Sequence, residues 1–106
     1  MLRSLGQRRP VTGSDEDPRV ARLRTAVSRL RRELAAHPAE FHDRVIAEDE
    51  LAALAAMTTT DGTPEVARLR RSLLLIAGAI GSVSALASGL SEVRRAVELF
   101  GEPQGR

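Results

Sequence analysis

Apolar side chains in this chain return every three or four residues, the spacing that keeps one stripe of an α-helix away from water. The first run is Val20, Leu23, Val27, Leu30 and Leu34, a heptad a/d seam with arginine over much of the remaining surface. Asp17 can cap this helix. Pro18 suits its first position, where no N–H is needed, and Pro38 disfavours helical geometry at His37. The pattern predicts a helix over 18–36. A second is predicted over 43–57, capped by Asp43, with Ile46, Ala47, Leu51, Leu54 and Met57 on one face. Extending it back to Phe41 scatters the apolar residues around the helix, so Phe41 falls in the connection. Thr58 to Gly62 has the composition of a loop.

A third helix is predicted over 64–100, opened by Thr63, Pro64 and Glu65. Val66, Leu69, Leu73, Ile76, Ile80, Val83, Ala87 and Leu90 hold the alternation, after which the phase moves to Leu86, Leu90, Val93, Val97 and Phe100, resembling a stutter. Gly101 and Pro103 supply the stop. At ~1.5 Å per residue this helix would reach roughly 55 Å, against about 28 and 22 Å for the other two. Neither covers it alone. Either it bends at Gly78, Gly81 or Gly89, each costing ~1 kcal/mol against alanine inside a helix, or it overhangs and buries its seam against a second copy. The sequence reading leans to the second copy.

No segment alternates β-branched residues with period two, and alanine and leucine favour helix, so the fold class is all-α. The expected architecture is a three-helix bundle with coiled-coil-like heptad packing and a long third helix open to a kink near Gly78–Gly81. At 106 residues there is one domain, expected over 16–101 between tails at 1–15 and 102–106. Cysteine is absent, which excludes disulfides and thiolate metal sites. The only aromatics are Phe41 and Phe100, too few for a base-stacking platform. Every basic residue is arginine, which we read as codon bias. The net charge of +2 owes much to Arg3, Arg8 and Arg9; without residues 1–10 the balance is 13 basic to 14 acidic residues. We expect that segment to be a tail outside a native start at Val11; an intact mass including Met1 or Leu2 would refute this. It lacks the apolar core and cleavage site of a secretory signal, and a cytoplasmic location is expected.

Ser72 to Ser91 carries no charge over 20 residues, long enough to span a bilayer. Within it Ala77, Gly81, Ala85 and Gly89 repeat every four residues, a spacing that lets helix backbones approach closely. Five serines, three glycines, arginine on both sides and no aromatic belt argue for a buried helix of a bundle instead. Arg19, Arg22, Arg24, Arg29, Arg31 and Arg32 form a basic block, while Glu40, Asp43, Glu48, Asp49 and Glu50 form an acidic one. Two helices facing each other account for the pair better than a phosphate-binding face does. His37, Glu40, His42 and Asp43 are close in sequence, yet two histidines five apart share no helical face, and we expect no metal. Glu48, Asp49 and Glu50 point in different directions and cannot converge on a substrate. Gly78 to Gly81 lacks the lysine of a phosphate loop. No enzyme activity and no cofactor are expected.

The segments Ala47–Met57, Pro64–Leu74, Gly81–Ala87 and Val97–Pro103 resemble a family of small uncharacterised actinobacterial proteins, similar over about Thr12 to Pro103 and likewise free of cysteine, several of which begin at the position of Val11. The resemblance implies no assigned activity and transfers no residue roles.

The expected function is a helical protein–protein interaction or scaffold module, self-associating as a homodimer or docking a helical partner through the third helix. Val66, Leu69, Leu73, Ile76, Ile80, Val83 and Leu90 would supply burial there, and Ala77, Gly81, Ala85 and Gly89 close approach. The alternatives are a single-span membrane protein crossing at 72–91 and an arginine-dependent nucleic-acid binder.

Overall fold

The computed structural model describes residues 17–38, 42–59 and 63–101. The expected tails, Glu40 and Phe41 lie outside the described residues. The described chain is helical, with α1 at Pro18–Ala36, α2 at Arg44–Met57, α3 at Val66–Ile80 and α4 at Ala87–Glu98. Single 3-10 turns, Ser84–Leu86 and Leu99–Gly101, precede and follow α4.

α1 begins where its capping residues place it. The Asp17 carboxylate accepts a hydrogen bond from the Arg19 amide at 2.9 Å, and Pro18 sits at the helix start. The same carboxylate takes the Arg19 guanidinium at 2.7 Å, and that guanidinium lies 4.8 Å from the centre of the Phe100 ring. Arg19 hydrogen bonds hold the Asp17 carboxyl below its ordinary range. A carboxyl with a lowered folded-state pKa stabilises the fold above its unfolded value, and that contribution disappears as pH falls through the folded value. Asp17→Ala should therefore cost about 1 kcal/mol at pH 7. The gap between variant and parent should narrow as pH falls through the lowered folded-state value, as urea melts across pH would show. At the other end His37 is extended, at φ −71° and ψ 119°, as the following proline requires.

α2 starts at Arg44, but the Asp43 carboxylate makes no capping hydrogen bond to it. Arg44 is the tie here, and it serves the preceding helix. Its guanidinium donates to the Leu34 and His37 carbonyls at the end of α1 while its Nε reaches Glu48 at 3.1 Å. A cation is poorly placed at the start of its own helix but well placed at the carbonyl end of another. Arg44→Ala should cost about 2 kcal/mol by leaving those carbonyls without their charged donor. A loss below about 0.5 kcal/mol in denaturant melts would refute that role.

α3 begins two residues later than the Thr63–Pro64 signal predicts. Glu65 is still extended, at φ −76° and ψ 125°, and its carbonyl accepts the first helical bond, from Leu69 at 3.1 Å.

The single long third helix over 64–100 is corrected by the structure. The helix ends at Ile80, Gly81 caps it with helical dihedrals, and beyond Ser82 the chain is extended at Val83 with φ −91° and ψ 100°. It then reverses. Glycine and serine hold a helix weakly, and a β-carbon at Gly81 would meet the Ala77 carbonyl oxygen. Reversal lets α4 return along α3 and pack mainly on α1, burying Leu86, Leu90, Val93, Ala96 and Val97. The stripe that a straight helix would leave uncovered is thus buried inside the chain, and the overhang that led us toward a second copy does not exist.

Among the described residues the result is four antiparallel helices in a ring. Ser72 against Glu50 pairs α2 with α3, and Arg29 against Ser88 and Arg19 against Phe100 pair α1 with α4 in opposite directions. The core is aliphatic, with Leu23, Leu30, Leu51, Leu54, Leu69, Ile76 and Ile80 sealed from solvent.

Candidate functional site

The hairpin of α2 and α3 is the part of the molecule whose surface departs from the ordinary. Its two helices pack closely through Ala47, Leu51 and Leu54 on one side and Leu69 and Ile76 on the other. The register is pinned by the Ser72 hydroxyl, which donates to Glu50 Oε1 at 2.9 Å from a buried position. Above that bond a shallow hollow of ≈ 340 Å³ runs between the helices, lined by Glu50, Ala53, Met57, Arg68, Arg71 and Leu75 among others.

One helical turn back from Glu50 lies Ile46, and one turn on from Ser72 lies Ile76, so these positions are level in the antiparallel pair. Around that level four large apolar side chains face outward. Val45 is 64% exposed, Ile46 46%, Leu74 72% and Leu75 43%. Adjacent residues on a helix are separated by about 100°. Each consecutive pair therefore spreads over a wide arc, and together they form an apolar band across the outer face of the hairpin. The loopward border of the band is charged, with exposed Asp49 and half-buried Glu50 on α2 and exposed Arg70 and Arg71 on α3.

The expected interaction residues are distributed differently. Leu69, Ile76, Ile80 and Leu90 are buried in the chain's own core, and Leu73, Ala77 and Val83 pack at its margin. Val66 is half-buried. The four small residues do not form one stripe, because the helix ends between them. Ala77 lies within α3, Gly81 and Ala85 are exposed in and after the reversal, and Gly89 is buried in α4. Gly89 does set a close approach, but to α1. A β-carbon there would meet the Glu33 carboxylate and would lie 3.0 Å from Leu30 Cδ1.

Other candidate chemistry stays dispersed. His42 is solvent-exposed, with Nε2 4.0 Å from Asp43 Oδ1. Among the described residues no three His, Cys, Asp or Glu gather to hold a metal ion. Members of the basic and acidic blocks form ion pairs within their own helices, Arg29 with Glu33 on α1 and Arg44 with Glu48 on α2. Arg31 and Glu48 also line one surface hollow between α1 and α2. Ser72–Ser91 is divided by the reversal, and among the described residues no helix is long and apolar enough to cross a membrane.

A family model described as a family of unknown function, DUF5955, matches residues 12–101. The chain belongs to the DUF5955 family. Curated proteins and solved structures give no match.

In this DUF5955 member, sequence reasoning missed Val45, Leu74 and Leu75 and put Ile46 on the buried face. A usable signal was present. Leu73, Leu74, Leu75 and Ile76 are four consecutive large apolar residues, which no helix can turn to one side. Reading for the best seam selects two of them and passes over the excess.

Proposed function

We propose that this chain is a non-catalytic helical docking module, and that the outer face of the α2–α3 hairpin is where it receives a helical partner. One observation carries the reading, the exposed band of Val45, Ile46, Leu74 and Leu75. These are large aliphatic side chains held in water by a fold whose other leucines and isoleucines are largely covered, and contiguous exposed apolar surface marks interaction sites. The hollow beside the band offers the shallow groove between two helices that an amphipathic helix fills. The docking role stays with the segment that sequence periodicity pointed to, and shifts from its seam to its outward side.

Placing a photoreactive phenylalanine analogue at position 75 and irradiating intact cells tests the reading, with position 36, exposed at the end of α1, as control. The expected outcome is a discrete adduct from position 75 and none from position 36. Absence of any adduct from position 75 would overturn the docking reading.

A further inference from the structure

Resting on the docking reading, we infer that the occupant of the hairpin face is a second copy of this chain, paired about a two-fold axis parallel to α2 and α3. The charge pattern selects both the partner and the axis. Among the described residues of the outer face, acid lies on the α2 side of the band's border, at Asp49 and Glu50, and base lies on the α3 side, at Arg71. A two-fold rotation about an axis running along the helices brings α2 of one copy over α3 of the other without changing height. Val45 and Ile46 then meet the other copy's Leu74 and Leu75, and Asp49 and Glu50 meet its Arg71. By symmetry each contact forms twice. An axis across the helices could still set band on band, but it would stack α2 on α2 and carry the acids of one copy away from the other's arginines, so the charge pattern favours the lengthwise axis. Arg68, farther toward the loop, would lie along Ala53 and Met57, with its aliphatic stem covering them.

The face is small. Helices of 14 and 15 residues are about 21 Å long, which places the interface at the low end for specific complexes. The dimer should therefore have a micromolar Kd.

Sedimentation equilibrium on the full chain, from about 1 µM to about 1 mM, reads the outcome directly. A monomer–dimer equilibrium is expected. Leu74→Glu should weaken it at least about tenfold without changing helicity, since that side chain touches little in the monomer. Asp49→Arg and Arg71→Asp should each weaken pairing about tenfold, and the two together should recover to within about threefold of the parent, because the swap restores opposite charges across the axis. A chain that remains monomeric to about 1 mM overturns the inference, as does a dimer indifferent to Leu74→Glu. A double variant no tighter than the single ones overturns the pairing geometry. These failures are distinct from failure of the docking reading. An adduct at position 75 of a mass other than two chains would leave a docking module with a different partner, whereas no adduct would remove both.

Discussion

Leu30→Ala should lower the unfolding free energy by about 3 kcal/mol and the melting temperature by roughly 15 °C. Leu30 has no solvent exposure and stands where α1 crosses α4 over Gly89, whose lack of a side chain lets the helices approach. The closeness that glycine permits leaves no neighbouring side chain able to swing into the space, so a cavity would persist instead of collapsing. A helical unit of this size has a total stability on the order of 5–10 kcal/mol, and the variant would lose a large part of it. Urea titration of both proteins reads the difference, with a changed midpoint and an unchanged slope expected. A loss below about 1 kcal/mol would mean that α1 and α4 are not packed at this crossing as described.

The second large effect is a contrast between two glycines three residues apart. Gly78 lies inside α3, and a β-carbon there meets nothing within 4 Å, so Gly78→Ala should stabilise by up to about 1 kcal/mol through helix propensity. Gly81 has ordinary helical dihedrals, φ −60° and ψ −24°, but its missing β-carbon would strike the Ala77 carbonyl, which is part of the backbone and cannot rotate away. Gly81→Ala should destabilise by about 2 kcal/mol despite gaining propensity. Thermal melts of the two variants should therefore move in opposite directions. If both rise, the reversal after Ile80 is not held by close approach at Gly81, and a straighter path through that segment would regain its place.

Much of the fold could be read from local chemistry. The start of α1 was visible in Asp17–Pro18 and its end in Pro38, because each acts on the backbone within a residue or two. The third segment was harder for a physical reason. Reversing at Gly81–Val83 and continuing straight leave nearly the same apolar spacing, and they differ only in what covers the stripe, which is a tertiary matter. The phase change at Leu86 was the trace of the turn: α3 presents Leu69, Ile76 and Ile80 inward and α4 presents Leu90, Val93 and Val97, each with its own phase. A stutter and a reversal look alike when only spacing is read. The candidate site was less legible still, because Val45 and Leu74 became notable only once the opposite side of each helix was seen to be buried.

The Arg19–Phe100 contact has an architectural consequence. It brings the beginning of α1 and the end of α4 to one pole of the bundle, within reach of each other's side chains. The helical unit therefore starts and finishes at the same doorway, so it could be spliced into an exposed loop of a host protein, or have its ends joined and be reopened elsewhere, with little rearrangement. The apolar band sits toward the opposite end of the hairpin, where α3 finishes and α2 begins. A partner fused directly at Asp17 or Gly101 would leave from the far pole, away from the face between Val45 and Leu75.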